Sequence, residues 1–212
     1  MKIEIFTVGP FAENTYLLIK DGKAVLIDPG FFNPEEFRSF KEKLASSGAE
    51  LLGILLTHAH IDHVLGLKRV LDEYSVPVYM NHSDLQVWNN LPNQAAMFGF
   101  TLQDFDFTPD PLPDEGNVEL VPFQFETLYT PGHSPDHVSL YFKTEHVLIA
   151  GDVLFRESIG RTDLYRGDFE LLATSIREKL YPLPDDTVVY PGHGPETTIG
   201  HEKKNNPFVP AM

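Results

Sequence analysis

The chain has 212 residues, of which 42% are hydrophobic and 12% aromatic, and we expect one domain spanning residues 1–212 with a sizeable core. The 16 basic and 31 acidic residues give a formal net charge of −15, which disfavours nucleic acid and anionic membranes as partners. The absence of cysteine excludes disulfide bonds, thiolate ligands and a cysteine nucleophile. Because the N-terminus does not resemble a signal peptide and no apolar stretch approaches the ~18 residues of a membrane span, we expect a cytoplasmic protein.

The first half of the chain predicts strands alternating with helices. Asp21-Gly22 is a two-residue hairpin signal, and Asn33-Pro34-Glu35-Glu36 has the pattern of a capped helix start, with Gly48 ending that helix. A solid apolar run over residues 51–56 predicts a buried strand, and a helix is expected from about Asp62. The other predicted elements are strands at 2–8, 15–20, 23–28 and 76–80, and a helix at 82–91.

The second half begins with an irregular stretch, residues 92–116, which is rich in proline and is typical of a lid or binding loop. Its aromatic residues either cover an apolar substrate group or anchor the loop: Phe98, Phe100, Phe105 and Phe107. Asp168 caps a predicted helix, and a short polar tail closes the chain. Strands are expected at 117–122, 125–129, 138–142, 146–150 and 187–190. The two halves are similar in outline, which favours an α/β architecture of layered sheets and helices.

The segment Thr57-His58-Ala59-His60-Ile61-Asp62-His63 directly follows the apolar strand. Residues two apart in an extended segment face the same side, so His58 and His60 can point to one place. Asp62 and His63 can then point to a second place nearby. Imidazole and carboxylate groups are ligands of divalent cations such as zinc, and the segment therefore predicts part of a metal site.

Three later turns each put a ligand-type side chain at the end of a predicted strand. They are Thr130-Pro131-Gly132-His133, Gly151-Asp152 and Pro191-Gly192-His193-Gly194. A glycine allows the backbone to turn sharply, and loops held by a rigid sheet commonly carry function. Each turn is weak support alone, but together they complete a set of metal ligands.

This succession of motifs resembles the metallo-β-lactamase superfamily and, within it, the glyoxalase II-like hydrolases. The resemblance extends from Asn14-Thr15-Tyr16 and Asp28-Pro29-Gly30 to His193. It implies a four-layer αβ/βα sandwich of two mixed β-sheets flanked by helices, with the site at one edge. It also implies two metal ions that share one bridging ligand. The first would be held by His58, His60 and His133, the second by Asp62, His63 and His193, and the bridge would be Asp152.

The implied cofactors are two divalent ions, zinc in first place and iron or manganese as alternatives, which lower the pKa of a shared water. The resulting hydroxide attacks a thioester carbonyl, and a thiolate leaves without a general acid. Asp62 and Asp152 could orient this hydroxide in addition to binding metal. Asp28 is a candidate for holding a ligand ring in place.

Resemblances of shorter segments narrow the choice among the enzyme types of this superfamily. Gly160-Arg161-Thr162-Asp163 is similar to the short glyoxalase II type and, almost equally, to persulfide dioxygenases, while Asn206-Pro207-Phe208 is closer to the former. Arg161 falls where longer enzymes have a lysine that contacts substrate, which implies the same role here. Pro195 replaces the tyrosine that follows the last metal histidine in full-length glyoxalase II. Thioester hydrolysis is therefore a firmer expectation than specificity for glutathione.

The leading hypothesis is a hydrolase of a small-molecule thioester such as an S-acylglutathione. An iron-dependent persulfide dioxygenase is the nearest alternative, and a non-catalytic metal- or ligand-binding protein on the same fold is an alternative of another class. A serine-hydrolase set of Ser134, Asp136 and His137 is disfavoured because no G-x-S-x-G elbow is present. His137 could instead support a ligand, face the substrate or lie on the surface. The oligomeric state is left open.

Overall fold

Two mixed β-sheets form the centre of the fold in the computed structural model, which describes residues 1–102 and 105–211. The first sheet contains, in spatial order, β1 (Lys2–Val8), β2 (Glu13–Lys20), β3 (Lys23–Ile27), β4 (Glu50–Leu55), β5 (Val78–Asn81) and β6 (Asp110–Leu112). The second contains β7 (Gly116–Leu120), β8 (Phe123–Tyr129), β9 (Val138–Phe142), β10 (Val147–Gly151), β13 (Val188–Pro191) and β14 (Thr197–Thr198). Between β10 and β13 the chain forms a separate hairpin of β11 (Leu154–Phe155) and β12 (Ser158–Ile159).

The helices are α1 (Pro34–Ser47), α2 (Leu67–Glu73), α3 (Leu85–Asn89), α4 (Leu91–Met97), α5 (Phe169–Ser175) and α6 (Ile199–Asn205). A π-helical turn, Ile176–Leu180, continues α5, and 3-10 turns occur at Ile61–His63 and Lys143–Glu145. In the described part of the chain, no helix combines the length and apolar character needed to cross a membrane.

Three buried apolar clusters show how the layers stack. Side chains alternate along β2, so that Tyr16 and Leu18 face the second sheet while Leu17 faces the helices. The outer face of the first sheet packs on α1 and α2, and the outer face of the second packs on α5 and α6. The order of layers is helix, sheet, sheet, helix. This confirms the predicted four-layer α/β sandwich of two mixed sheets.

Local sequence signals explain several element ends. The Asn33 side chain accepts from the backbone N–H groups of Glu35 and Glu36, and the Asn33 N–H donates to Glu36 Oε2, which completes the predicted capping box. Gly48 ends α1 in the left-handed region at φ 65°. Asp21 and Gly22 both have positive φ, as a tight hairpin turn between β2 and β3 requires.

The prediction of a helix from about Asp62 is wrong. Asp62 lies in the 3-10 turn Ile61–His63, and α2 begins only at Leu67. The intervening backbone is held down because the Gly66 N–H donates to the Pro29 carbonyl at 2.8 Å. A Cβ at Gly66 would lie only 2.7 Å from the Cβ of Phe31, so this close approach of the two segments requires glycine at position 66.

The irregular segment predicted at 92–116 is wrong in part, because it includes most of α4 and all of β6. Pro92 lies in the first turn of α4, where a missing N–H costs no helical bond, and Pro111 lies on the edge strand β6. Gln103 and Asp104 are outside the described residues. The predicted polar tail is also wrong in part, since it contains α6, capped by Thr198.

The aromatic residues of this segment divide into two groups. The rings of Phe105 and Phe107 lie 4.9 and 5.8 Å from that of Trp88, which packs in the core. Phe98 and Phe100 instead contact Phe11, with ring centroids 4.9 and 6.1 Å from it. Phe100, Phe105 and Phe107 are partly buried against the core and anchor the segment, as one of the two interpretations predicts, whereas Phe98 is 50% exposed.

Asn14 joins the two sheets at the edge where β4, β8, β10 and β13 end. Its backbone N–H donates to the Gly192 carbonyl at 2.7 Å. Its side-chain amide donates to the carbonyls of Pro191 and Gly194 at 3.1 and 2.8 Å. A second link runs from the Val138 N–H to the Thr57 carbonyl at 2.9 Å. These bonds fix the relative positions of the strand ends.

We expect Asn14→Ala to lower the free energy of unfolding by about 1 to 3 kcal/mol, because the Gly194 carbonyl loses its side-chain donor and the Pro191 carbonyl keeps only the Tyr16 hydroxyl as a side-chain donor. Urea unfolding monitored by circular dichroism measures the effect. Asn117→Ala, on the exposed edge strand β7, is the matched control. Equal stability of the two variants would contradict the role given to Asn14.

Candidate metal centre

The predicted metal ligands all lie at or just after the carboxyl ends of strands, and both sheets contribute. The first sheet provides the segment after β4, which carries His58, His60, Asp62 and His63. The second sheet provides His133 after β8, Asp152 after β10 and His193 after β13. The structure brings all of these residues together at one edge of the sandwich.

A first group of donors consists of three imidazoles. His58, His60 and His133 each direct a ring nitrogen to a common point, and these atoms lie within 4.8 Å of one another. His60 Nδ1 is 3.1 Å from His58 Nε2 and 2.8 Å from His133 Nε2. His58 is fully buried, and His133 is nearly so.

A second group contains Asp62, His63 and His193, whose donor atoms also lie within 4.8 Å of one another. His193 Nε2 is 3.2 Å from Asp62 Oδ2. Asp152 lies between the two groups: Oδ1 is 3.4 Å from His63 Nε2, and Oδ2 is 3.5 Å from His133 Nε2. Its carboxylate can therefore serve both groups.

Protein acceptors hold the outward nitrogens of the histidine rings. His133 Nδ1 donates to the Arg161 carbonyl at 2.8 Å, and His193 Nδ1 donates to the Phe11 carbonyl at 3.2 Å. Because a carbonyl only accepts, Nδ1 of each ring carries a hydrogen, and Nε2 is the inward-facing nitrogen that can bind a metal ion once it is deprotonated. Such an arrangement is the usual support of a metal-binding histidine.

Asp28 orients two further rings at once. Its Oδ2 accepts from His63 Nδ1 at 3.0 Å and from the Thr57 hydroxyl at 2.7 Å. The Thr57 oxygen in turn lies 3.0 Å from His58 Nδ1, so it can accept from that ring. Asp28 Oδ1 accepts from the Thr57 N–H at 2.8 Å. One carboxylate thus fixes a ring in each donor group.

The electrostatics of the two groups differ. Burial lowers the pKa of His58 well below its usual value and that of His60 to about 3, so both rings are neutral. Burial opposes the charged form of His193 too, but hydrogen bonds to Asp152 and Asp62 raise its pKa to about 10. The carboxylates also raise the pKa of His63 despite its burial, so the second group favours positive charge at its centre, which protons on the rings or bound cations can supply.

The residues present fit a pair of divalent ions. His63 Nε2 and Asp152 Oδ1 are buried, face the centre and lie 3.4 Å apart, and neither forms a well-aligned hydrogen bond with any described residue. Buried polar atoms nearly always have a partner, so these two atoms indicate a missing ligand. Imidazole nitrogen and carboxylate oxygen together suit zinc, iron and manganese.

The serine-hydrolase alternative is wrong. The Ser134 hydroxyl donates to Asp136, and both side chains are buried behind the centre. Asp136 Oδ2 accepts from the Ala59 N–H at 2.9 Å and thereby holds the segment between His58 and His60. His137 is fully buried, and its Nε2 accepts from the Asp152 N–H at 3.1 Å. It supports a predicted ligand and does not face a substrate.

Two residues that support the centre, Gln94 and Glu13, are not among the predicted site residues. Gln94 on α4 accepts from the Ile61 N–H at 3.1 Å and donates to the Ala59 carbonyl, which fixes the histidine loop from one side. Glu13 is 1% exposed, with Oε1 3.9 Å from His63 Nδ1. No spacing rule reveals either residue, because both reach the centre from elements distant in sequence.

A cavity of about 750 Å³ opens above the centre, and His60, Asp62, His133, Asp152 and His193 contribute to its lining. Arg161, the predicted substrate contact, also lines it. The centre is therefore accessible to a small molecule.

The sequence pattern of the metallo-β-lactamase superfamily matches residues 8–193. The chain belongs to this superfamily. It is 42% identical over 213 residues to the "Probable metallo-hydrolase YqgX" of Bacillus subtilis, a match covering 99% of this chain and 98% of that one. It is 41% identical over 213 residues to the "Hydroxyacylglutathione hydrolase GloC" of Haemophilus influenzae, with the same coverage.

Solved structures of metallo-β-lactamase-fold proteins agree with the fold. The BLEG-1 B3 metallo-β-lactamase superposes with a TM-score of 0.87 at 40% identity, covering 98% of this chain and 99% of that one. TTHA1623, solved in a di-iron-bound form, gives 0.86 at 37% identity, covering 97% and 100%. The predicted family and fold are confirmed.

We expect Asp28→Ala to weaken metal binding about 10- to 100-fold, because rings in both donor groups lose their orientation. Asp28→Asn keeps one acceptor and should fall between Asp28→Ala and the unchanged protein. Competition with a chromophoric chelator measures the affinity. The control is Asp21→Ala, at a surface turn residue with nearly the same φ (50° against 49°). Similar affinities in Asp28→Ala and Asp21→Ala would contradict this role.

Proposed function

We propose that the chain is a dinuclear metallo-hydrolase that cleaves a small-molecule thioester, of which S-acylglutathiones are the reference class. The observation that carries the proposal is the pair of inward-facing donor groups on either side of Asp152, below an open cavity. The proposed first metal ligands are His58, His60 and His133. The proposed second ligands are Asp62, His63 and His193, with Asp152 shared. Zinc is the proposed metal, with iron or manganese as alternatives.

When bound, such ions supply an acidified water and polarise a carbonyl oxygen. The residues of the chain position the attacking water and the substrate. Asp62 and Asp152 carry carboxylate oxygens that can accept a hydrogen bond from the attacking water and orient it. A thiolate is a stable leaving group, so no further acid is required of the protein. Arg161 is proposed to contact the substrate from the cavity wall.

The similarity to a protein described as a hydroxyacylglutathione hydrolase supports thioester hydrolysis. Two other activities have specific support. The resemblance of Gly160-Arg161-Thr162-Asp163 to persulfide dioxygenases favours an iron-dependent oxidation, and the similarity to a B3 metallo-β-lactamase favours lactam hydrolysis. A cytoplasmic location remains a prediction.

Thioester hydrolysis and oxygen consumption separate these functions. We expect the purified protein to hydrolyse S-lactoylglutathione or an uncharged acetyl thioester, with no oxygen uptake on glutathione persulfide and no turnover of a chromogenic cephalosporin. Oxygen uptake without thioester hydrolysis would establish the dioxygenase, and cephalosporin turnover alone the lactamase. A metal-binding protein inactive in all three assays would be the non-catalytic alternative.

We expect His58→Ala to lower thioester hydrolysis at least about 100-fold, because the first donor group loses its buried ring. The loss should appear in kcat/KM at saturating metal concentration. His146→Ala is the matched control, since the His146 side chain is half exposed and its ring bonds only to Asp186 among the described residues. Full activity of His58→Ala would refute the mechanism.

A further inference from the structure

The cavity above the metal centre is larger than the reacting groups need. Its volume is about 750 Å³, within the range of sites that enclose a whole small molecule. A thioester carbonyl that reaches the donors at the floor leaves the rest of the substrate against the walls. The composition of those walls therefore selects the substrate.

The walls are mainly apolar, and several elements build them. Phe11 comes from the connection between β1 and β2, Met97 and Phe98 from the end of α4, and Phe155 and Ile159 from the β11–β12 hairpin. Met97 is 80% exposed and Phe98 is 50% exposed. Apolar side chains left in water around a cavity are typical of a surface that a ligand covers.

The walls also lack a free positive charge. Among the described residues that line the cavity, the charged side chains apart from the proposed metal ligands are Arg161 and Asp163. These two pair with each other: Arg161 Nε donates to Asp163 Oδ1 at 2.6 Å, and Nη2 donates to Oδ2 at 2.8 Å. The pair is neutral as a unit, so a substrate carboxylate that contacts the remaining N–H groups of Arg161 meets no net positive charge.

Glutathione carries a carboxylate at each end and one ammonium group, and the described cavity walls offer its carboxylates no unpaired arginine or lysine. Carboxylates are normally recognised by unpaired arginine or lysine side chains. The formal net charge of −15 adds a long-range repulsion against anionic substrates. An uncharged substrate meets neither obstacle.

We propose that the preferred substrate is a thioester of an uncharged thiol with a bulky apolar acyl group, which the phenylalanine-rich wall contacts. This proposal rests on the thioester hydrolysis proposed above and narrows its substrate class. Arg161, paired with Asp163, then offers the substrate its N–H groups without a net charge.

Four thioesters test this specificity: the acetyl and phenylacetyl esters of N-acetylcysteamine, which is uncharged, and of glutathione. Each kcat/KM is divided by the rate of spontaneous hydrolysis. We expect phenylacetyl to exceed acetyl at least about 10-fold on N-acetylcysteamine. The phenylacetyl ester of N-acetylcysteamine should be at least as good as that of glutathione. Any other ordering overturns the specificity, whereas no hydrolysis of any of the four overturns thioester hydrolysis itself.

A matched pair of variants tests the wall. Phe98→Ala should reduce the ratio of phenylacetyl to acetyl kcat/KM roughly 3- to 10-fold, because the ring that contacts the acyl group is lost. Phe208→Ala should leave the ratio unchanged, since Phe208 is equally exposed at 50% but does not line the cavity. Because both rings are on the surface, neither variant threatens folding. An unchanged ratio in Phe98→Ala would count against the apolar wall as the selecting surface.

Discussion

The buried carboxylate of Asp152, held between two sets of inward-facing donors, is the feature on which the rest of the site depends. Burial raises the pKa of an isolated carboxyl group, but His63 and His193 hold the pKa of Asp152 well below its usual value. An ionised group in this position requires positive charge nearby, or its desolvation would oppose folding. Asp62 adds a second carboxylate to the same pocket. Divalent cations would balance the negative charges of both carboxylates. The two buried inward-facing atoms His63 Nε2 and Asp152 Oδ1 are the positions at which we expect such cations to bind.

The scaffold is arranged to keep that carboxylate in place. The backbone N–H of Asp152 is held by His137, and a Cβ at Gly192 would lie 2.1 Å from Asp152 Oδ1. Position 192 therefore requires glycine because the backbone there lies close to the Asp152 carboxylate, and not only because the chain turns there. The junction at Asn14 places the segment after β13, which contains His193, against the start of β2. Each sheet alone offers only part of the donor set.

Sequence reasoning located the donors because strand ends and ligand chemistry are local signals. The H-x-H-x-D-H segment and the three glycine turns could be recognised without knowledge of the packing. The groups that hydrogen-bond to these donor residues and orient them could not be recognised from the sequence in the same way. The Thr57 hydroxyl links Asp28 to His58 through two hydrogen bonds. The carbonyl of Arg161 orients the His133 ring although the two residues are 28 positions apart in the sequence. Backbone carbonyls have no sequence signature, and Gln94 and Glu13 reach the centre only through tertiary contacts.

The high proline content of residues 92–116 indicates an irregular segment when it is counted over the whole stretch. Pro92, however, lies in the first turn of α4, where proline is compatible with a helix.

If the two donor groups hold two cations that act together through Asp152, as proposed, both ions are needed for activity. A titration of the metal-free protein with zinc, iron(II) or manganese, in which thioester hydrolysis is followed against equivalents of metal added, tests this directly. Activity should rise until two equivalents per chain are bound and then stay constant. Full activity at one equivalent, or in metal-free protein, would contradict it.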